Sequence, residues 1–415
     1  MLMITRKDEK YLESLINKFS DNKKDIVNHF PLLEKGFTNA DIMRGIEVLL
    51  SRKLTMSEIT KKFENSFANY IGSKYALMVN SGSSANLLAA FALVNPKKKR
   101  RLKRGDRFII PAICWSTSLW PMVQCGLRPK FVDVNINNFC LDETLLKKDK
   151  TLKAIMNIHI LGNSANMDIL KNYAKNNNMF MIEDTCEALG SKYKSKYLGT
   201  FGDFGTYSFY YSHQITSGEG GMIICKTKKD HDILYAMRSH GWDRGLYNSQ
   251  KVKNFNFINS GFNVRGMDLT AAIGLSQLKR LNNMIKSRSR NRNLIINKLR
   301  NHISWDDQFT FFNPNENVKP SWFGLPLLIN KKLISKKTNF LRYLNYSGVE
   351  TRPILSGNFL NQKACKLYKF NYKKKDVRVS QEIEDRGFFI GLPTKDMSSE
   401  KLDFLCEKLM NIKQI

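Results

Sequence analysis

Cysteine pairs are missing from this sequence of 415 residues. Its seven cysteines are scattered and odd in number, and no two of them have the CxC or CxxC spacing. Disulfide-stabilised secreted domains and structural zinc sites depend on such paired spacing, so the sequence disfavours both. Unpaired cysteines are typical of proteins from a reducing compartment, and we expect a cytoplasmic protein.

Long apolar runs are missing too. No uncharged apolar stretch approaches the roughly 18–20 residues that a membrane-spanning helix needs. The first residues, MLMITRKDEKYLESLINKF, are charged and helix-like, without the apolar core and small-residue cleavage site of a signal peptide. The sequence therefore predicts no membrane partner.

Acidic residues are few. There are 37 Asp and Glu against 67 Lys and Arg, which gives a formal net charge of +30. Such an excess can indicate binding to nucleic acid, but the lysines are spread along the chain and no nucleic-acid-binding motif is present. The densest run, PKKKRRLKRGD (96–106), lies between a predicted helix and a predicted strand, where a solvated loop is the simplest interpretation. We expect no nucleic-acid partner, whereas a nucleotide-linked substrate would be attracted by this positive field.

Short apolar runs alternate with amphipathic helical patterns from about residue 75. The runs are YALMV (75–79), DRFIIPA (106–112), KFVDV (130–134), AIMNIHI (154–160), MFMIED (179–184), GTYSFYY (205–211) and GMIICKT (221–227). This alternation predicts an α/β fold with a doubly wound, mostly parallel sheet. One long helix is expected from Met267 to about Leu299. The pattern changes after about residue 285, so we expect an N-terminal helical segment over 1–55, a large α/β domain over 56–285 and a small α+β domain over 286–415.

A serine-rich turn, NSGSSANLL (80–88), follows the first predicted strand and opens a helix. Gly82 would let the backbone approach a ligand closely, and the backbone amides at the start of a helix favour a bound anion. Ser81, Ser83 and Ser84 add hydroxyl donors. The turn is a candidate phosphate cradle, although serines at a helix start are also common as simple N-caps.

A carboxylate and an aromatic side chain stand at the ends of other predicted strands. Asp184 ends the run MFMIED and would point into the crevice where α/β sheets bind ligands. It could keep a pyridinium nitrogen protonated, or merely cap a neighbouring helix. Glu187 lies one turn further on and could reach the same ring. Trp115, in PAICWSTSLWP (111–121), could cover a ring face or pack in the core.

The stretch FGTYSFYYSHQITSGEGGMI (204–223) joins two predicted strands through a polar turn. Ser208 ends the first of them, and the glycines of GEGG (218–221) allow a sharp return. His213 stands between the two, within reach of what the other motifs would hold.

The order of these motifs resembles that of a known family. A phosphate turn, an aromatic residue, a strand-end aspartate, a serine followed by a reactive residue, and a glycine return occur in this order in the sugar aminotransferases of the DegT/DnrJ/EryC1/StrS family. The similarity runs from FPLLEKGF (30–37) to the C-terminal helix and includes SGFNVRGMDLTAAIGLSQL (260–278). It implies the type I aspartate aminotransferase fold, with a mostly parallel seven-stranded sheet. It also implies pyridoxal 5′-phosphate (PLP) or its amine form, pyridoxamine 5′-phosphate (PMP), as the cofactor.

The resemblance implies which residues hold the phosphate of the cofactor. Gly82 and Ser83 would bind it from the serine-rich turn, and Ser208 would bind it from the strand end. Asn263 would reach the phosphate in a neighbouring subunit, which implies a homodimer with shared active sites.

The resemblance also implies three contacts to the ring of the cofactor. Trp115 would stack on the ring, Asp184 would pair with its nitrogen, and Glu187 would approach its phenolic oxygen.

Most members of the family carry a lysine where this sequence has His213. The members with a histidine are similar to this chain in further motifs, namely ILGN (160–163), SHQIT (212–216), SHGWDR (239–244) and ETRPILSGNF (350–359). These members are nucleotide-sugar 3-dehydratases. The resemblance therefore implies removal of the C3 hydroxyl from a nucleotide-linked 4-keto-6-deoxy sugar, with GDP-4-keto-6-deoxymannose favoured, in deoxysugar biosynthesis for a lipopolysaccharide O-antigen.

A histidine suits that reaction chemically. Unlike a lysine, it cannot hold PLP covalently, so the cofactor is free to act as the amine PMP on the C4 ketone of the sugar. With an ordinary pKa of about 6.5, His213 would remove a proton from C4′ of the cofactor near neutral pH and return one as the hydroxyl leaves. Glutamate would regenerate PMP.

Three alternatives remain open from the sequence. A relative acting on CDP-4-keto-6-deoxyglucose uses an iron–sulfur cluster, but residues 239–261, which follow the glycine return, contain no cysteine, so we expect no cluster. A PLP-dependent nucleotide-sugar aminotransferase would use a lysine elsewhere in the sequence, the nearest being Lys192, Lys194, Lys196 and Lys226. A catalytically silent PLP-binding regulatory protein would be expected to lose Asp184 or the serine-rich turn, and both are present.

The substrate contacts are less well defined by sequence. Histidines that face the sugar in the family are replaced here by Leu392, Pro393 and Thr394 in FFIGLPTKD (388–396), which leaves the nucleotide and sugar preference open. Arg352 and Asn358 are candidates for contact with the sugar or its phosphates. A structural salt bridge is the alternative role for them.

Overall fold

A computed structural model describes residues 6–20, 29–34, 36–244, 246, 256–370 and 372–415. Its strands are β1 (Tyr75–Val79), β2 (Arg107–Pro111), β3 (Arg128–Val132), β4 (Leu152–Ile158), β5 (Phe180–Asp184), β6 (Lys192–Tyr193), β7 (Lys196–Tyr197), β8 (Phe204–Ser208), β9 (Gly221–Cys225), β10 (Phe309–Phe311), β11 (Val318–Lys319), β12 (Leu325–Ile329), β13 (Thr351–Arg352) and β14 (Gly387–Ile390). Its helices are α1 (Arg6–Ser20), α2 (Asn39–Ser51), α3 (Glu58–Ile71), α4 (Gly82–Val94), α5 (Ser116–Gln124), α6 (Met167–Asn176), α7 (Lys228–Arg238), α8 (Asp268–Leu278), α9 (Leu281–Arg300), α10 (Lys337–Tyr346), α11 (Lys363–Leu367), α12 (Arg378–Arg386) and α13 (Ser399–Met410).

Seven of the strands form the main sheet, in the order β1-β9-β8-β5-β4-β2-β3. Only β9 runs antiparallel to its neighbours, β1 and β8, while the other adjacent pairs are parallel. Every residue of β5, β8 and β9 is buried, as expected for apolar runs in a sheet with helices on both faces. The predicted α/β fold with a mostly parallel seven-stranded sheet is confirmed.

The strand directions bring the sequence motifs to one edge of this sheet. Because β9 is antiparallel, its first residue, Gly221, pairs with the last residues of β1 and β8, which are Val79 and Ser208. Asp184, the last residue of β5, pairs with Thr206 of β8. The serine-rich turn, the strand-end aspartate and the glycine return therefore share the edge at which α/β sheets bind ligands.

A second, antiparallel sheet has the order β10-β12-β14-β13 and packs around a separate apolar core. That core includes Phe30, whose backbone amide donates to the carbonyl oxygen of Gly348 at 2.7 Å. A piece of the predicted N-terminal segment thus packs on the C-terminal part of the chain. The domain boundaries at residues 55 and 285 stay predictions.

The expected single helix from Met267 to Leu299 is two helices. α8 ends at Leu278 and α9 begins at Leu281, with Lys279 and Arg280 between them. The apolar spacing continues across this break, so the sequence pattern does not reveal it. Among the described helices, none is long and apolar enough to cross a membrane.

Candidate active site

The serine-rich turn is in direct contact with the end of β8. A Cβ atom built on Gly82 would lie 2.6 Å from Cβ of Ser208, so only a glycine allows this approach. The glycine return is equally close, because a Cβ atom on Gly221 would lie 2.3 Å from the carbonyl oxygen of Ser81. Ser81 is also the N-cap of α4, with its Oγ accepting from the Ser84 amide at 3.1 Å. The first amides of α4 and the Ser208 hydroxyl thus converge where an anion would bind.

Trp115 lies beside this turn. It is the N-cap residue of α5, and its side chain is 52% exposed, so the alternative of core packing does not hold. The start of α5 meets the start of α4 through the hydroxyls of Thr117 and Ser83, which are 3.1 Å apart. An exposed indole next to a helix N-terminus is available to cover the face of a bound ring.

Asp184 is buried in a network of hydrogen bonds. Its Oδ2 accepts from the side-chain amide of Asn86 at 2.8 Å and from the hydroxyl of Ser118 at 2.7 Å. Its Oδ1 accepts from the backbone amide of Cys186 at 3.2 Å. Since each carboxylate oxygen accepts about two hydrogen bonds, Oδ1 can still receive a proton donor such as a pyridinium N–H.

Glu187 is partly buried next to the ILGN turn. Its Oε2 accepts from the backbone amide of Leu161 at 3.0 Å. Burial raises the pKa of Glu187 to about 8, and the Asp184 carboxylate adds to the rise. A carboxyl that keeps its proton near neutral pH can donate a hydrogen bond to a phenolic oxygen.

His213 is partly buried in the turn after β8. Its ring meets the ring of Phe323 edge-on, with centroids 5.0 Å apart, and its Nδ1 is buried. Burial lowers the pKa of His213 to about 3, and the positive charge of Arg288 adds to the lowering. The ordinary pKa expected from the sequence is therefore wrong for the chain by itself, and the imidazole is neutral across the physiological range.

These groups fit the cofactor implied by the sequence. The close approach of Gly82 and Ser208 makes a cradle that a side chain at Gly82 would fill. The buried acid Asp184 suits a protonated ring nitrogen, the exposed Trp115 suits a ring face, and the protonated Glu187 suits a phenolic oxygen.

A family model described as the DegT/DnrJ/EryC1/StrS aminotransferase family matches residues 38–410. The chain belongs to this family. It is 37% identical to the GDP-4-keto-6-deoxy-D-mannose 3-dehydratase of Escherichia coli O55:H7 over 394 residues, which cover 92% of this chain and 99% of that protein.

Solved structures of family members give the same picture. One, a GDP-4-keto-6-deoxymannose-3-dehydratase with a histidine replaced by asparagine and with bound GDP-perosamine, has a TM-score of 0.84 and 35% identity, covering 92% of this chain and 100% of that chain. Another, of the same enzyme with a trapped PLP-glutamate geminal diamine, has a TM-score of 0.82 and 34% identity, covering 92% of this chain and 100% of that chain. The sequence resemblance to this DegT-type family is confirmed.

Three further predicted family positions take no part in the side-chain contacts described above. Asn263 is exposed in a segment next to β1, where Val79 bridges to Arg265. Arg352 is exposed, and its Nη1 donates to the carbonyl oxygen of Thr351 at 2.9 Å. Asn358 is buried, with its Nδ2 donating to Gln381 Oε1 at 3.1 Å. The roles of Asn263, Arg352 and Asn358 stay predictions, and the side chain of Asn358 is already engaged within the fold.

The segment that replaces the family histidines is buried. Leu392 is fully buried in the second core, and Thr394 Oγ1 donates to the carbonyl oxygen of Glu34 at 2.9 Å. The side chain of Asn291 donates to the carbonyl oxygens of Pro393 at 3.0 Å and Lys395 at 2.7 Å. This stretch packs against α9 through its backbone.

Several residues of the site were not identified from the sequence. Asn86 and Ser118, which donate to Asp184, lie inside the motifs NSGSSANLL and PAICWSTSLWP. They follow the predicted site residues Gly82 and Trp115 by about one helical turn. Gln214 donates from Nε2 to the carbonyl oxygen of Glu187 at 2.5 Å and so joins the turn of His213 to the segment after β5. The sequence did not indicate a site role for Arg288, because this residue lies in the basic run KSRSRNR, which is typical of a solvated helix face.

Proposed function

We propose that this protein is a PLP/PMP-dependent nucleotide-sugar 3-dehydratase that removes the C3 hydroxyl of a 4-keto-6-deoxyhexose, with GDP-4-keto-6-deoxymannose favoured. The observation that carries the proposal is the position of His213. In the sequence it stands between Ser208 and Gly221, which both contact the serine-rich turn. Its Nδ1 is buried, so we assign the proton transfer to Nε2. The relatives named above support the substrate and the use of glutamate.

Different residues of the chain bind different parts of the cofactor in this proposal. When bound, PMP supplies an amine for the C4 ketone of the sugar and a ring that stores electrons. Asp184 keeps the ring nitrogen protonated, and Glu187 donates to the phenolic oxygen. Gly82, Ser83 and Ser208 bind the phosphate.

His213 moves the proton in this proposal. Its neutral imidazole accepts a proton from C4′ of the cofactor at Nε2. Burial and the charge of Arg288 disfavour the imidazolium that results, so negative charge brought by the ligands has to stabilise it. The acid role of His213 when the hydroxyl leaves therefore depends on the bound phosphates of cofactor and substrate.

The nearby lysines support this proposal over an aminotransferase. Lys226 follows the last residue of the antiparallel β9, so it lies at the edge of the sheet opposite the site, where its Nζ donates to the Phe201 carbonyl at 2.7 Å. Lys194 pairs with Asp168 at 2.6 Å. Lys192 and Lys196 lie over the rings of Tyr197 at 4.2 Å and Phe201 at 4.9 Å.

We also propose a homodimer with shared sites and a place in the cytoplasm. The exposure of Asn263 supports the first, because this side chain is open to a second subunit. The seven free cysteines fit a reducing compartment.

The decisive experiment supplies GDP- and CDP-linked 4-keto-6-deoxyhexoses together with glutamate and identifies the product by mass spectrometry. We expect a 3-deoxy-4-keto sugar and ammonia from the GDP substrate. A 4-amino sugar would instead establish the aminotransferase, and no turnover of either substrate would favour the silent PLP-binding protein.

A further inference from the structure

Arg288 of α9 is buried without an acidic partner in the described part of the chain. Its side chain is 1% exposed, and its Nη1 donates to the carbonyl oxygen of Trp322 at 3.2 Å. Nε and Nη2 have no hydrogen-bond partner among the residues that the structure describes, and burial lowers the pKa of the guanidinium to about 10. A buried guanidinium without a counter-charge costs folding free energy, which points to a role at the site it adjoins.

Residues 321–323 connect Arg288 to the turn of His213. Trp322 accepts the hydrogen bond from Arg288, and the next residue, Phe323, packs its ring edge-on against the imidazole at 5.0 Å. The carbonyl oxygen of Ser321 accepts from Gln214 Nε2 at 3.2 Å. One short segment thus contacts both His213 and the residue that follows it.

The same segment is tied down from its other side. The backbone amide of Ser321 donates to Ser191 Oγ at 2.8 Å, and that of Phe323 donates to the carbonyl oxygen of Leu161 at 3.3 Å. Gly162 leaves room for it, since a Cβ atom there would lie 2.3 Å from the Ser321 carbonyl oxygen. The edge-on contact with Phe323 thus helps to hold the imidazole of His213 in one orientation.

We propose that Arg288 is a positioning residue for His213, acting through the Trp322 carbonyl and the Phe323 ring. This inference rests on the proposed role of His213 as the base. A positioning role also explains why a guanidinium is buried at this place in α9.

Besides burial, the charge of Arg288 lowers the pKa of His213, which gives a readout of their interaction that does not depend on turnover. Arg288 contributes a positive charge from α9, and Phe323 contributes none. Glu187, whose carbonyl oxygen binds Gln214, has a pKa raised to about 8 and carries little negative charge near neutral pH. Tyr210, in the same turn, presents its backbone carbonyl and a ring 6.0 Å from the imidazole.

The test compares Arg288→Met, Arg288→Lys and Phe323→Leu with Arg290→Met as the control. Arg290 lies on the same helix, but its side chain is 53% exposed and pairs with Asp396 at the surface. Ring-labelled histidine gives six NMR signals to follow against pH, and the signal missing from His213→Asn identifies His213. The rate at which glutamate converts bound PLP to PMP is measured by absorbance on the same proteins.

In Arg288→Met, we expect the titration midpoint of His213 to rise by about one pH unit or more. The higher pKa by itself would make the imidazole a stronger base, so a lower rate would report lost orientation of the ring. We expect the rate to fall roughly tenfold to a hundredfold for that reason, with the KM for glutamate changed less than about twofold. Arg288→Lys should keep the low midpoint. Phe323→Leu should lower the rate without moving the midpoint, and Arg290→Met should match the wild type.

Unchanged midpoint and rate in a folded, cofactor-binding Arg288→Met protein would overturn the inference. If Arg288→Met fails to fold, Phe323→Leu provides the test. An unchanged rate in Phe323→Leu would show that residues 321–323 do not transmit an effect of Arg288 to His213, which would overturn the inference. If His213→Asn keeps full turnover, the proposed base is wrong. The NMR midpoint requires no turnover, so it then still reports whether Arg288 acts on His213.

Discussion

Asp184 and Asn86 are joined by a hydrogen bond of 2.8 Å, although they lie 98 residues apart in the chain. The hydroxyl of Thr206 donates to Asn86 Oδ1 at 2.7 Å, so the amide turns its NH2 group toward the carboxylate. Ser118 donates to the same carboxylate oxygen. The carboxylate is thereby held in one orientation, which a partner for a ring nitrogen needs.

This network predicts how tightly PLP binds to variants. Asp184→Asn removes a charge-assisted hydrogen bond to the ring nitrogen, so we expect the Kd for PLP to rise about 10- to 100-fold. Asn86→Ala leaves the charge but loosens its orientation, and we expect a rise of roughly fivefold. Absorbance titration of the purified proteins measures both values. Equal binding by Asp184→Asn and wild type would show that the carboxylate does not face the ring.

Replacement of His213 should separate cofactor binding from chemistry. His213→Asn removes the only base assigned to C4′ but leaves the phosphate cradle and Asp184 untouched. We expect PLP to bind within about threefold of wild type and ammonia release from GDP-4-keto-6-deoxymannose to fall at least about a hundredfold. A coupled ammonia assay measures the rate, and undiminished release would assign the base to another residue.

The absence of a lysine at position 213 predicts a non-covalent cofactor. Borohydride fixes PLP that is covalently bound to a lysine, so reduction of the PLP-loaded protein should leave its intact mass unchanged. Mass spectrometry before and after reduction checks this. A matched control is His213→Lys, in which a gain of one cofactor mass shows that the method detects attachment. A cofactor-sized adduct on wild type would contradict the assignment of His213.

The sequence was sufficient for the sheet and for the residues at its edge. Apolar runs ending in Asp184 and Ser208 predict strands whose ends meet, because parallel strands share one carboxyl edge. Gly82 was predicted at the same edge because only glycine allows a close backbone approach. These features follow from local pattern and strand direction.

Long-range partners could not be predicted in this way. Arg288 lies among basic residues of α9, a pattern that indicates a solvated helix face, yet the tertiary packing buries it. The pKa of His213 departs from its ordinary value because of burial and that buried charge, neither of which has a local signature. The bond from the Asn358 amide to Gln381 likewise joins residues far apart in the motif pattern, while the role of Asn358 toward the substrate stays a prediction.

Glu187 predicts the alkaline limb of the pH profile. Burial raises its pKa to about 8, so it donates a proton below that pH and becomes a carboxylate above it. We expect the rate at which glutamate converts PLP to PMP to decline as pH rises through about 8. Glu187→Gln keeps a donor at every pH, so its profile should stay flat there. An identical decline in both proteins would place the titrating group elsewhere.

Glu183 makes a prediction about stability. It is fully buried on β5, where its carboxylate accepts from His159 Nε2 at 2.9 Å and from the backbone amides of Gly199 at 2.9 Å and Gly202 at 2.6 Å. Burial alone would raise the pKa of Glu183, but the hydrogen bonds from His159 and the two amides bring it below its ordinary value. We expect Glu183→Gln to lower the free energy of unfolding by about 3 kcal/mol at pH 7, because it removes the charge that these donors bind.

The pH dependence of that difference gives the sharper test. A carboxyl whose pKa is depressed by folding adds stability above its unfolded pKa of about 4.3, and the contribution is lost as pH falls through the folded value. Urea denaturation should therefore show a constant gap between wild type and Glu183→Gln from pH 6 to 8 and a shrinking gap below about pH 4. Glu47→Gln removes an exposed ion pair with Arg44 and should cost less than about 1 kcal/mol. A gap that widens on acidification would mean that Glu183 is protonated in the folded protein, and that His159 does not face a carboxylate.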